Sequence, residues 1–295
     1  MKGLIVMNAY PRGEKFYRQS GRIAEELNAL GVATDIKLNG EIAGLLTENA
    51  QAKAEILDYD FAVYLDKDKY LSRILEGAGL RLFNSSRAIE TCDDKMLTYL
   101  ALRNAGVKIP ETISAPLCYT PNAIPQKTFL DRVEELGYPL VSKTSYGSFG
   151  MGVSLVNNRK ELEEREQELL YAPHFYQKFV GEKGKDIRVI VIGGKAIASM
   201  ERRAVGDEFR SNIELGGYGV KVELAQVYKE TAEQVAKAIG LEYCGVDLLV
   251  GETPIVCEVN SNAFFEGLEC VTGVNVAKAY AEYIINTIKG FRKGT

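Results

Sequence analysis

Gly245-Val246-Asp247-Leu248-Leu249-Val250-Gly251-Glu252-Thr253-Pro254-Ile255-Val256-Cys257-Glu258-Val259-Asn260 reads as two apolar strands joined by a tight turn of Gly, Glu, Thr and Pro. Folding the segment about its centre sets Leu248 opposite Cys257 and Asp247 opposite Glu258. Asn260 projects from the same face as both carboxylates, because strand side chains alternate. Like charges directly opposite one another destabilise a β-pair. A hard cation between them removes the conflict, and Mg²⁺ typically takes one or two carboxylates together with substrate phosphates. Two acids in a hairpin also fit a plain solvated face. The other residues of both strands are nearly all apolar, which favours burial, so the segment is read as a metal-binding hairpin in need of a phosphate partner.

Around it lies a chain of 295 residues, long enough for two or three compact units with a sizeable core. Hydrophobic residues at 46% and charged residues at 26% are ordinary for a globular protein. A net charge of −4 supplies no general attraction for nucleic acid. The five cysteines are scattered, odd in number and without C-x-x-C spacing. That suits a reducing, cytoplasmic location better than a disulfide framework or a zinc site. One histidine, His174, leaves little for a His-based metal centre or triad and is expected to pack or lie on the surface. Gly3 to Met7 is too short for a signal-peptide core, and no apolar run approaches a membrane span. Neither nucleic acid nor membrane is therefore expected as a partner.

Residues 1–87 read as an α/β unit. Leu4 to Met7 is a short buried strand, and Phe16, Ile23, Leu27 and Leu30 fall at helical spacing up to Gly31. Strands follow at Val32–Leu38, Phe61–Leu65 and Leu80–Phe83, with a helix over Leu71–Ala78. Alternating strands and helices predict a parallel sheet. No G-x-G-x-x-G follows the first strand, so a dinucleotide fingerprint is missing; the loop Asn8–Gly13 is a candidate substrate contact. A helical stretch containing Asp93-Asp94-Lys95 then runs from the capping residues Ser85-Ser86 to about Ala105.

Residues 88–180 are expected to form a second unit and 181–295 a third. In the second, a helix over Thr128–Leu136 leads to the strand Pro139–Lys143, then to Thr144-Ser145-Tyr146-Gly147-Ser148-Phe149-Gly150-Met151-Gly152 and the strand Val153–Val156. The glycines let the backbone turn sharply and bring N–H groups towards phosphate oxygens. The flanking strands rule out a Walker A loop, and a plain flexible hairpin remains open. Glu161–Leu170 is a charged helix, and His174–Val180 a strand. In the third unit, Asp186–Ile192 and Lys195–Arg203 flank Gly193-Gly194 as a hairpin with a primed turn. Alternation puts Asp186 and Arg188 on one face and separates Arg202 from Arg203. Arg210 and Asn212, in a polar loop, suit an anion clamp or a metal shell, or simply a surface loop. Helices over Glu230–Ile239 and about Val274–Lys289 complete the chain, with Phe291–Thr295 as a frayed tail. There is no internal repeat.

In order, the lysines, glycine loop, arginine–asparagine loop and Asp, Glu and Asn of the hairpin resemble an ATP-grasp enzyme. The likeness is closest to the RimK-type carboxylate–amine ligases. Asp94-Lys95, Tyr138–Lys143 with Gly147–Gly152, Gly184-Lys185-Asp186-Ile187-Arg188, Glu201–Ala204, Phe209–Asn212, Gly245-Val246-Asp247 and Glu258–Ser261 carry it. The resemblance implies an α/β ATP-grasp fold, α+β in its C-terminal part, behind an N-terminal pre-ATP-grasp domain. It implies ATP and two Mg²⁺ ions, or Mn²⁺ in their place, with Asp247, Glu258 and Asn260 as metal ligands. Lys95 and Lys143 would contact phosphates, and Gly147, Ser148, Gly150 and Gly152 would close over them. Gln177, Lys178, Phe179 and Val180 would meet the adenine, and Asp186 the nucleoside. Arg210, Ser211 and Asn212 would line the triphosphate, with Arg203 facing the reacting centre.

Enzymes of this family phosphorylate a carboxylate and let an amine attack the acyl phosphate, here with glutamate as the expected added amino acid and a peptide, protein or small molecule as acceptor. Self-association is left open. This chain departs from the family where a Pro-Gly pair usually follows Glu-x-Asn, and has Ser261-Asn262-Ala263-Phe264-Phe265 instead. Two phenylalanines there are expected to reshape the acceptor wall, so a ligase for another amine is one alternative. A nucleotide-binding protein without catalysis is a second, although its metal ligands should have eroded. A kinase-like phosphotransferase lacks H-R-D and D-F-G.

Overall fold

The computed structural model describes residues 1–11, 13–42, 58–206, 208–211 and 216–293, with residues 291–293 described by backbone alone. Asn212 and the tail residues Gly294 and Thr295 lie outside the described residues. At the N-terminus β1 (Lys2–Met7), α1 (Glu14–Ala29), β2 (Ala33–Leu38), α2 (Asn39–Ile42), β3 (Phe61–Leu65), α3 (Lys69–Gly77) and β4 (Leu82–Phe83) build a parallel sheet of order β2-β1-β3-β4. The sheet is buried on both faces, as parallel sheets are. Ile5, Phe61 and Val63 enter one core with α1, while Leu4, Val6, Ala62 and Tyr64 enter another with α3.

The helical stretch after β4 is two helices, α4 (Ser86–Asp93) and α5 (Lys95–Asn104). Helical periodicity runs through the junction, but Asp94 is extended at φ −87° and ψ 107°, and its carboxylate accepts from Met96 N and Leu97 N. A side chain that caps a new helix must leave the old one. Both helices pack on the third sheet: Ala88, Cys92, Tyr99 and Leu102 share a core with Val189, Val246 and Val259.

The second sheet is antiparallel, of order β5-β8-β6-β7, from β5 (Thr112–Ser114), β6 (Leu140–Thr144), β7 (Val153–Val156) and β8 (His174–Lys178). It packs against α6 (Lys127–Glu134) and α7 (Arg159–Leu169) through Leu130, Val133, Leu140, Val156, Leu162 and Tyr176. His174 is a buried packing residue, its Nε2 2.8 Å from Glu166.

The third sheet is antiparallel, of order β11-β10-β9-β12-β13. It comprises β9 (Lys185–Ile192), β10 (Lys195–Arg203), β11 (Tyr218–Lys221), β12 (Tyr243–Leu249) and β13 (Ile255–Asn260). Gly193 and Gly194 at φ 56° and 76° make the primed turn between β9 and β10. One face packs on α8 (Gln226–Ile239). The other packs on α9 (Glu266–Thr272) and α10 (Val276–Lys293). Tyr280, Ile284 and Ile288 of α10 also meet Ile23 and Leu27 of α1, so one core joins the first and third sheets. Along β9, Ile190 and Ile192 enter that core, and alternation brings Asp186 and Arg188 onto the same face at the strand's other end. This polar end is where the candidate site lies.

Candidate active site

The hairpin is β12 and β13. Gly245 lies opposite Asn260, Val246 opposite Val259 and Asp247 opposite Glu258. Beyond that pair the register shifts and Leu248 faces Val256, so the expected Leu248–Cys257 pair does not form. Cys257 is the extra residue of a β-bulge, which sets two residues of one strand against one of the other. Strict alternation would turn Cys257 away from Glu258; with the bulge both line one cleft, while Val246, Leu248, Val256 and Val259 enter the core behind. Glycine is needed at 245 because a Cβ there would come within 2.6 Å of Ala263 Cβ. Its absence lets the Ser261–Phe265 segment lie on β12.

Asp247 is buried at 2% exposure and does not meet Glu258 as a bare charge. Arg188 Nε and Nη2 each donate to it at 2.7 Å, and Arg202 Nη2 at 2.8 Å. Arg202 also grips Asp186 through Nε at 2.7 Å and Nη2 at 2.5 Å, and Ser211 Oγ donates to Asp186 at 2.5 Å. Burial would raise the Asp247 carboxyl, but the guanidiniums of Arg188 and Arg202 outweigh it and hold the group below its ordinary range. Arg203, expected at the reacting centre, is half-exposed and donates to Glu201 at 2.6 Å. Alternation that turns Arg202 to Asp186 turns its neighbour to the other face, so Arg202 lines the cleft. Among the described residues no three His, Cys, Asp or Glu side chains cluster as metal ligands. Glu258 and Asn260 instead line a cleft with Arg188, Lys67, Ser148 and Phe264.

The lysines arrive from different elements. Lys95 opens α5, its backbone N–H donating to Ser145 O at 3.0 Å. Its Nζ donates to Gly147 O at 2.7 Å and stands 3.7 Å from Glu258. Burial lowers the Lys95 pKa, Glu258 only partly opposes it, and the group ends below its ordinary range. Lys143, on β6, lies 3.4 Å from the Tyr99 hydroxyl and 4.0 Å from Cys257 Sγ. Burial lowers its pKa too, but Cys257, Tyr99 and Glu258 together carry it above the ordinary range. Burial pushes the Cys257 thiol up to about 11, so at neutral pH it is an uncharged wall of the cleft.

Between these lysines runs the glycine loop. Gly147, Phe149, Gly150 and Gly152 all have positive φ, at 145°, 60°, 72° and 77°. At Gly152 a Cβ would also meet Thr144 Oγ1 at 2.3 Å. Gly150 O accepts from Arg210 Nη1 at 3.0 Å, and Ser148 Oγ from Lys67 Nζ at 3.2 Å. Glu208 holds Arg210 with three bonds, and the guanidinium lowers the Glu208 carboxyl to about 2.

Gln177, Lys178, Phe179 and Val180 line the same cleft with Val141, Val153 and Leu249, which give this part of it an apolar wall. The Gln177 side chain is committed to Thr112 Oγ1 at 2.9 Å. Of the departing segment, Phe264 lines the cleft of Glu258 and Asn260, whereas Phe265 is buried at 2% in the core beside α10. Only one of the two phenylalanines forms wall. Sequence reasoning missed Lys67, Arg202 as the inward arginine, and Phe149. For Lys67 a signal existed, since it follows the carboxyl end of a parallel strand, where open α/β sheets bind ligands.

The chain matches the RimK-like ATP-grasp domain family over residues 92–284. It is 35% identical over 237 residues to N-acetylaspartylglutamate synthase A of Homo sapiens, covering 79% of this chain and 59% of that protein. It is 38% identical over 223 residues to a probable alpha-L-glutamate ligase of Psychromonas ingrahamii, covering 74% and 72%. The crystal structure of a RimK domain ATP-grasp protein from Sphaerobacter thermophilus superimposes with a TM-score of 0.72 at 18% identity, over 96% of this chain and 99% of that one. That likeness is one of fold.

Proposed function

The chain belongs to the RimK-like ATP-grasp family, and on that premise we propose that it is an ATP-dependent carboxylate–amine ligase adding an amino acid such as glutamate to an acceptor. What carries the reading is one convergence. Lys95, Lys143, Arg210 and the glycine loop stand over the Asp247–Glu258 pair, at the mouth of an apolar slot. An apolar slot suits a base, and clustered cations suit a triphosphate. Glutamate features in the names of both relatives, and the chain spans 59% of the length of the first.

Glu258 and Asn260 are oxygen donors on the cleft face, and Asp247 Oδ1 accepts only from Arg188 Nε among the described contacts, which leaves it a lone pair. The set fits a hard divalent ion such as Mg²⁺. When bound, such an ion would neutralise triphosphate charge and orient the terminal phosphoryl group. Lys95, Lys143, Arg210, Ser211 and Asn212 would hold phosphates, and Arg202, in place of Arg203, would keep Asp186 and Asp247 positioned. The carboxylate oxygen of one substrate attacks the γ-phosphorus, the bond to the bridging oxygen breaks, and ADP leaves. The amine then attacks the carbonyl carbon, phosphate departs with the C–O electron pair, and the nitrogen sheds a proton to give the amide. Positioning and charge neutralisation dominate such chemistry.

No helix among the described residues is long and apolar enough to cross a membrane, and all five cysteines are free thiols. Free thiols suit a reducing compartment, and a cytoplasmic location is part of the proposal. The test is to incubate the chain with ATP, Mg²⁺, L-glutamate and a panel of carboxylate acceptors, reading ADP and product mass. Glu258→Gln should lower turnover at least about 100-fold. Turnover with another amine but not glutamate would replace the substrate assignment. ATP binding that no carboxylate–amine pair converts to ADP would leave a nucleotide-binding protein.

A further inference from the structure

Phe149 stands at the tip of the glycine loop in a left-handed conformation that favours glycine. A non-glycine residue persists there when its surroundings hold it, and what holds this one comes from two distant parts of the chain. Its ring is 6.5 Å from that of Phe16 on α1 and 6.3 Å from that of Phe264, which follows β13. Phe16 and Phe264 meet edge to face at 4.9 Å. The Lys15 ammonium lies 4.1 Å from the Phe149 ring centroid and 4.7 Å from that of Phe264, within the reach of cation–π attraction. The preceding loop residue is tied to the same N-terminal unit, Lys67 Nζ donating to Ser148 Oγ. Loop tip, α1 and the segment after β13 are thus fastened together over a cleft lined by Asn8, Lys67, Arg188, Asn260 and Asn262.

We propose that Phe149 is a positioning residue: seated against Phe16 and Phe264 under the Lys15 ammonium, it seals the acceptor side of the cleft so that the acyl phosphate partitions to the amine and not to water. This deepens the ligase reading and rests on it. In the productive branch the amine nitrogen displaces phosphate from the acyl carbon and an amide forms. In the wasteful branch a water oxygen does so, releasing the carboxylate, phosphate and a proton, so each futile cycle consumes ATP with no amide. The departure at Phe264 from the family's loop then has a purpose as the seat of the seal.

The chain has no tryptophan, so Phe149→Trp creates a single fluorescent reporter at the loop tip, measured in the full chain with ADP and Mg²⁺. Adding Phe264→Ala should raise acrylamide quenching about threefold, the change in an open–closed balance expected from losing one aromatic pair of ordinary strength. Unchanged quenching overturns the seal. In the otherwise wild-type chain, Phe264→Ala should raise phosphate released per amide formed about threefold, and Phe264→Tyr, which keeps the ring, should leave the ratio near one. A wild-type ratio in Phe264→Ala, with the quenching change present, overturns the role in partition. Quenching needs no turnover, so failure of the ligase reading would not be mistaken for failure of the seal.

Discussion

Asp186 on β9 and Asp247 on the neighbouring β12 share the guanidinium of Arg202, which is 2% exposed. Removing one partner of a buried ion pair leaves the other charge uncompensated, at about 3–5 kcal/mol. Arg202→Met should lower stability by an amount in that range, read from urea unfolding at neutral pH. Arg203→Met, on a half-exposed side chain, should move the midpoint little. Lys95 sets a pH dependence. Its pKa in the folded protein lies below the ordinary 10.5, so it sheds its proton earlier than a solvated lysine as pH rises. If it holds a phosphate through charge, ATP affinity should begin to fall below pH 10.5, and Lys95→Arg should carry the fall to higher pH. Calorimetric titration of ATP analogue binding between pH 7 and about 10 checks this.

At the scale of elements, the break between α4 and α5 matters most for the site. Asp94 accepts two N–H groups of α5 at 2.9 and 3.2 Å, and the same turn directs Lys95 towards Gly147. Asp94→Ala should cost about 1 kcal/mol of stability, as loss of an N-cap does. It should also weaken nucleotide binding more than it weakens the fold, because the helix start that aims Lys95 is loosened. Helical spacing on both sides of Asp94 makes the two helices look like one, and the capping role shows only in the extended backbone at Asp94. The bulge at Cys257 is a similar case. Counting from the turn fixes Asp247 opposite Glu258, but an unpaired residue leaves no trace in a run of apolar residues.

At the scale of the whole molecule, Asn84 ties the first sheet to the third. Its Nδ2 donates to Tyr243 O at 2.8 Å and Ser261 O at 3.1 Å, and its Oδ1 accepts from Glu242 N at 2.7 Å and Tyr243 N at 3.0 Å. One buried amide thereby joins the end of the first sheet to the start of β12 and to the segment that carries Phe264. Asn84→Ala would strand buried backbone groups, each worth about 1–3 kcal/mol when left unpaired. We expect a loss of at least about 2 kcal/mol by thermal or urea unfolding, without two separate transitions, because the core shared by α1 and α10 couples the first and third sheets.

By itself the sequence determined the features that depend on neighbours along the chain. Alternation of apolar residues marked the strands, alternating strands and helices marked the parallel N-terminal sheet, and the turn after Val250 placed Asp247 across from Glu258. The residue order along the chain was enough to point to the ATP-grasp fold. The tertiary structure alone decided which of Arg202 and Arg203 faces the cleft, that Phe264 is wall and Phe265 core, and that Lys67 and Phe16 reach the glycine loop. Those outcomes turn on register, on a bulge and on contacts across long stretches of chain, such as Arg18 with Glu266, 248 positions apart. Local periodicity fixes which side of an element is apolar. Only the packing of whole sheets against one another fixes what that side, and its opposite, will meet.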